Sequence, residues 1–298
     1  MSAATPPETP VDPDLAERLV VTGAGGLLGH ELRRLAPTAR AFGHRELDIT
    51  DAESVRAIVG PGAVIINCAA FTNVDAAETE QTAAFAANET GPAVLAAVCA
   101  QVGARLIHIS TDYVFDGAAT RPYETTDDTA PLSVYGQSKL AGEHAVLDSA
   151  AQAHVVRTSW VFRAAGGDFV ATMLKLESER DTIDVVDDQL SCPTYGGDLA
   201  LGLLELARTP QAPRLLHATN AGTASRFDLA QAVFAGIGAD PHRVRPCDSS
   251  KFPRPARRPA YSVLSGASWA DAGLTPLRDW RSALDDALSR RSSYAGPL

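Results

Sequence analysis

RLVVTGAGGLLGHELRRL, residues 18–35, carries the reading of the fold. Its first five residues have an apolar centre and stop at glycine, the pattern of a short buried strand. Gly23, Gly26 and Gly29 then form GxxGxxG. Glycine permits a sharp turn and lets the backbone approach a pyrophosphate closely. Residues 27–35 read as a helix whose free N-terminal N–H groups would point at the phosphates. In a chain with 23 glycines the spacing alone is weak. Its place between a strand and a helix, near the N-terminus, gives it weight.

Outward from this unit the pattern repeats. Strands are expected at 39–42, 63–67 (AVIIN), 105–110 (RLIHIS) and 154–159 (HVVRTS). Helices are expected from an Asp51 cap to Val59, over 81–102 and over 134–149. Alternating strands and helices mean a parallel sheet with right-handed crossovers, an α/β doubly wound fold of the Rossmann type. The second half is less regular, with helices at 169–179, 195–208 and 227–236 and one strand at 214–219. PRPARRP, residues 253–259, can be neither helix nor inner strand. The expected division is a disordered tail over 1–17, a dinucleotide-binding part over 18–163, and a smaller substrate-binding part over 164–298 with some elements returning to the first.

Bulk properties exclude several classes. The 298 residues carry a net charge of −10, which disfavours nucleic acid as a partner. An anionic substrate would need a local basic site. The Pro-rich, acidic segment 1–17 has no apolar run and is no signal peptide. No apolar run approaches the ~18 residues of a membrane span, so no membrane partner is expected. Cys68, Cys99, Cys192 and Cys247 form no CxxC pair, which fits reduced thiols and the cytoplasm. The seven His form no zinc motif, and no metal site is expected.

A second constellation follows the fourth strand. Ser110-Thr111-Asp112 ends it, and VYGQSKLAGE (134–143) brings Tyr135 and Lys139 to one helix face. With six Tyr and three Lys, Tyr-x-x-x-Lys is expected by chance only about 0.06 times in this chain. Hydride reduction of a ketone leaves an alkoxide that must be protonated. A Tyr phenol can donate that proton, and a neighbouring Lys ammonium would lower its pKa. The same ammonium can hold a cofactor ribose. The Thr111 hydroxyl can position the reacting oxygen. At the end of the second strand, Gly43-His44-Arg45 lacks the acid that would bind the ribose hydroxyls of NAD. Arg45 would tolerate a 2′-phosphate, so NADPH is expected, with NADH left open.

From residue 18 to the C-terminal helix the chain resembles the extended short-chain dehydrogenases/reductases, and within them the dTDP-4-dehydrorhamnose reductase family. INCAAFTNVDAAE (66–78), RLIHISTDYVFDG (105–117), PYETTDDTAPLSVYGQSKLAGE (122–143), VVRTSWVF (155–162), DDQLSCPTYGGDLA (187–200) and FPRPARRPAYSVLS (252–265) carry the resemblance. STDYVFDG and the PARRP run are the most telling. Cys68 and Leu190-Ser191-Cys192 depart from the usual pattern without touching the catalytic set.

The resemblance implies reduction of a nucleotide-linked 4-keto sugar. It implies that Gly26, Leu27, Leu28, Asp48, Ile49, Ala70, Phe71 and Thr72 line the cofactor. Thr111 and Asp112 would touch the sugar, Tyr135 and Lys139 would be catalytic, and Trp160 would pack on the substrate. Arg257 and Arg258 are the candidates for the diphosphate. Relatives are often homodimers, and some use Mg²⁺, for which no carboxylate cluster stands out. Two other functions fit the fold. A sugar-nucleotide dehydratase would carry Asp-Glu after the threonine, where this chain has Asp112-Tyr113; an epimerase remains open. A non-catalytic dinucleotide-binding regulatory subunit would not need the Thr111, Tyr135 and Lys139 set.

Overall fold

Apolar runs that do not alternate must be buried on both faces, which suits a parallel sheet covered by helices. The computed structural model describes residues 12–291. Strands β1 (Leu19–Thr22), β2 (Arg40–Phe42), β3 (Val64–Asn67), β4 (Arg105–Thr111) and β5 (Gln152–Thr158) form one sheet with a sixth strand, Leu215–His217. The spatial order is sixth strand, β5, β4, β3, β1, β2, and every adjacent pair is parallel. β1 and β3 are buried throughout. The order reverses beside β1, where strands of this class open a crevice at their C-terminal ends.

One expectation fails at the start of the chain. Residues 12–17 are not a disordered tail: α1 (Pro13–Arg18) is a helix capped by Asp12, with Leu15 and Ala16 buried. Leu15 joins the apolar layer on one face of the sheet, and that burial holds the turn in place. The rest of the expected tail, 1–11, lies outside the described residues.

α2 (Leu27–Leu35) matches its expected bounds and packs on the same face as the helix Gly196–Leu206 from the second half. On the other face lie α3 (Ala52–Ile58), capped by Asp51 as expected, and a long rod. After the short α4 (Val74–Ala77), the rod runs as α5 (Gln81–Phe85), a π-helical turn (Ala86–Thr90) and α6 (Gly91–Val102). By length and hydropathy this rod could cross a membrane, contrary to the expectation of no such run. Here Leu95, Ala96, Val98 and Cys99 are buried against the sheet. α7 (Val134–Leu147), capped by Ser133, completes this side.

Three small sheets in the second half were not foreseen. Val244–Cys247 pairs with Ile183–Val186, Ala224–Ser225 with Leu190–Ser191, and Val161–Phe162 with Thr194–Tyr195. With the helices Phe169–Glu179, Arg226–Gly236 and Trp280–Arg290 they enclose a separate apolar cluster around Phe162, Phe234 and Trp280. It stands beside the strand ends and walls the crevice.

A buried ion pair ties α7 to the sheet. Glu143 of α7 takes a forked contact from Arg157 of β5, at 2.9 Å from Nε and 2.6 Å from Nη2, and also accepts the Ser110 hydroxyl of β4. Arg157 lies 5.0 Å from the Phe115 ring centroid. Removing one partner strands the other charge away from water, at a cost of about 3–5 kcal/mol. Arg157→Met is therefore expected to lose that much stability in urea unfolding. Arg157→Met with Glu143→Leu should recover most of it; a double variant as unstable as the single one would contradict this account.

Candidate active site

A cleft of about 1610 Å³ runs along the C-terminal ends of the strands. Its first arm is built on the glycine loop. Gly23 has φ +69°, and a Cβ there would collide with the Ala69 backbone beyond β3. A Cβ on Gly29 would collide with the Gly23 carbonyl, so both glycines let loop, helix and β3 close up. Gly26 caps α2 with no side chain on the first-turn N–H groups, which leaves them for an anion.

Gly23, Gly26, Leu27, Leu28, Gly29, Asp48, Ile49, Ala70 and Thr72 all line this arm. Asp48 turns its carboxylate to Thr50, whose hydroxyl and N–H hold it below the usual carboxylate range. Phe71 does not line the cleft but packs on the small apolar cluster of Ala77, Ala84 and Val134 that Tyr135 also covers. Arg45 is exposed and also outside the lining, whereas His44 is in it. The loop after β2 does contain an acid: Glu46 Oε2 accepts the Gly43 N–H at 2.7 Å.

In the middle of the cleft stand Thr111, Asp112, Tyr135 and Lys139. Val134 N donates to Glu78 at 2.9 Å, and a Cβ on Gly136 would strike the Tyr113 carbonyl. The first ties the start of α7 to the end of α4, and the second seats it against the turn that follows β4. Tyr135 meets Tyr113 edge-on at 5.7 Å. Burial raises the Tyr135 phenol well above its ordinary pKa of 10.0, while the Thr111 hydroxyl acts the other way. The expected lowering by Lys139 is not what prevails. The ammonium is turned instead to the Ile109 carbonyl, 2.6 Å away. Burial takes Lys139 down to about 8. The phenol is thus held as the neutral acid, the form a proton donor needs.

Asp112 is buried and bonded to Ser191, Ser262 and Thr111, and burial raises it to about 6. Trp160 lines the cleft with a left-handed backbone, φ +43°, uncommon for a bulky residue. Arg258 reaches the lining but is held by both oxygens of Asp75, at 2.6 and 2.9 Å. Arg257 is exposed and not in the lining, against expectation, because the irregular PRPARRP segment turns it outward.

Sequence reasoning missed four side chains. Arg226 lies 3.6 Å above the Trp160 ring, and no carboxylate is within ion-pair distance among the described residues. Asn88, in the π turn, bonds both backbone groups of Phe71 and the Ser138 hydroxyl, while the bare Gly142 admits its carbonyl. Asn67 and His108 lie behind Lys139. No spacing marks any of these, since each works through the folded surroundings. Among the described residues no group of three or more His, Cys, Asp or Glu could hold a metal, so no step is assigned to Mg²⁺.

Gly23→Ala tests the first arm. Left-handed backbone costs a non-glycine residue roughly 1–2 kcal/mol, before the collision with Ala69. A lower melting temperature and a large loss of dinucleotide affinity are expected, read by thermal unfolding and NADPH fluorescence. Parental affinity would remove this loop from the site.

Residues 17–293 match the family model described as the RmlD substrate binding domain. A dTDP-4-dehydrorhamnose reductase of Mycolicibacterium smegmatis is 55% identical over 95% of this chain and 89% of its own length. A probable dTDP-4,6-dihydroxy-2-methyloxan-3-one 4-ketoreductase of Streptomyces antibioticus is 48% identical over 91% of this chain and 94% of its own. Among solved structures, a dTDP-4-dehydrorhamnose reductase from Bacillus anthracis in complex with NADP superposes with a TM-score of 0.87 at 35% identity, covering 92% of this chain and 99% of that one.

Proposed function

The chain belongs to the RmlD substrate-binding-domain family, and from that premise we propose that it reduces the 4-keto group of dTDP-4-dehydro-L-rhamnose to dTDP-L-rhamnose with NADPH. The observation that carries this reading is a single cleft in which an uncapped helix N-terminus and the Thr111, Tyr135, Lys139 set share one wall. The glycine loop fits a dinucleotide pyrophosphate, since a Cβ on Gly23 would meet the backbone that shapes the cradle. When bound there, the dinucleotide supplies the hydride.

The chain's own residues do the rest. Thr111 holds the sugar's carbonyl oxygen through its hydroxyl. Tyr135, kept protonated by burial, delivers its phenolic proton to that oxygen as negative charge develops. Lys139 binds the cofactor ribose and steadies the phenolate left behind. Asp112 sets one edge of the sugar pocket and Trp160 its floor. Arg258 remains a candidate for the diphosphate. Arg226, which has no carboxylate within ion-pair distance among the described residues, takes the role expected of Arg257. Four free cysteines suit a reducing cytoplasm. In this division residues 18–163 serve the cofactor and 164–298 mainly the substrate.

The decisive assay follows NADPH and NADH consumption with dTDP-4-dehydro-L-rhamnose; no consumption of either would reject the reading. Tyr135→Phe keeps the ring and its packing but deletes the donor. Turnover should fall by roughly 10²–10⁴-fold, the range for a lost general acid, with cofactor affinity nearly unchanged. Near-normal turnover in the folded variant would sink the mechanism. For the substrate arm, Arg226→Gln should raise KM for the sugar nucleotide about tenfold or more, as expected for a lost charged hydrogen bond, and leave KM for NADPH alone. An unchanged substrate KM would take Arg226 out of the site.

A further inference from the structure

Behind the reaction centre a row of buried polar groups has its hydrogen positions fixed by the backbone. Asn67 Oδ1 accepts the Thr22 hydroxyl at 2.6 Å and the Ala69 N–H at 3.1 Å. The Ala69 amide can only donate, so this oxygen cannot be exchanged for the amide nitrogen. Asn67 Nδ2 therefore faces His108 Nδ1, 3.0 Å away, and donates to it. His108 is fully buried, and burial and Lys139 push it well below 6.5, so the ring is neutral. With Nδ1 accepting, its one proton lies on Nε2. Nε2 is 3.4 Å from Lys139 Nζ.

Lys139 thus meets an acceptor on one side, the Ile109 carbonyl, and an N–H donor on the other. That pair of neighbours complements a neutral amine, which donates and accepts. It does not complement an ammonium, which has no lone pair. Among the described residues the carboxylate that favours the ammonium is Glu143, and burial outweighs it. Glu143, one turn along α7, is committed to Arg157 and Ser110. The Cys68 thiol beyond β3 is pushed up to about 12 by burial and stays neutral. Tyr135, one turn earlier, is likewise held neutral.

We propose that Asn67 and His108 are positioning residues that lock the Nε2–H tautomer against Lys139, so that the free enzyme gives up the ammonium proton readily and, in mildly alkaline solution, dinucleotide binding draws a proton from solvent onto Lys139. This rests on the cofactor reading above, in which ribose hydroxyls bring new acceptors to Nζ. The uptake falls above the free Lys139 value of about 8 and below the ordinary 10.5. A 2′-phosphate, with its second pKa near ~6, is already fully ionised there and adds nothing.

Calorimetry of NADPH binding to the full chain at pH ~9, in buffers of different ionisation enthalpy, counts the protons. A substantial fraction of one proton taken up is expected, with NADH as well as NADPH. Asn67→Asp offers only acceptors to His108, moves the ring proton to Nδ1 and makes Nε2 an acceptor for the ammonium. In that variant the uptake should vanish. Lysine ε-carbon NMR on the parent needs no variant: the chain has three lysines, and Lys139 should titrate well below Lys251, which Asp184 holds up. Binding without proton uptake, or Lys139 titrating alongside Lys251, would overturn the lock. Failure of both dinucleotides to bind would overturn the cofactor reading instead, and the Lys139 midpoint of Asn67→Asp compared with that of the parent would still decide the lock: an unchanged midpoint would overturn it.

Discussion

The ion pair between Arg157 and Glu143 is the contact on which the geometry of the site depends. It joins β5 to α7, and through Ser110 it also holds the end of β4. Thr111 is the next residue of β4, and Tyr135 and Lys139 stand two turns and one turn before Glu143 on α7. A charged pair in this position is a poor source of net stability, because desolvation offsets most of its attraction. What it supplies is register. An apolar interface would let α7 slide or roll over the sheet at small cost. A forked contact between two buried charges tolerates almost none.

Elsewhere along α7 the seating is set by shape instead. Gly142 brings the helix onto the Asn88 carbonyl, and Gly136 brings it onto the Tyr113 carbonyl. The π turn that carries Asn88 widens the rod by one residue and turns that side chain toward the Phe71 backbone. Irregular turns of this kind survive where their freed groups find partners, and here the partner is the loop beside the cofactor arm. Close packing at the two glycines and the ion pair together leave α7 a single seat.

Much of this could be read from the chain because the first half obeys local rules. The helix at 27–35 has the bounds expected from its glycines and leucines, and the Asp51 cap fell where its side chain bonds Glu53 and Ser54. The tail was misread because six residues with two apolar side chains look unstructured until a tertiary partner buries them. Two- and four-residue strands such as Leu190–Ser191 and Ile183–Val186 leave too short a pattern to detect. In the site, Tyr135 and Lys139 announced themselves by spacing. Arg226, Asn67 and His108 did not, since their roles come from neighbours far away in sequence. Arg257 was over-read for the converse reason: a basic motif does not say which way an irregular segment will face.

The sixth strand of the sheet comes from residues 215–217, and the helix that packs on α2 comes from 196–206. A ribosome must therefore release nearly three-quarters of the polypeptide before the dinucleotide fold can close its own edge. Until then β5 stays an open template, with its backbone groups unpaired on one side. Contacts so distant in sequence slow assembly and lengthen the time that apolar surface is exposed. The architecture that places both ligands in one cleft thus makes the nascent chain dependent on protection from aggregation until its second half has arrived.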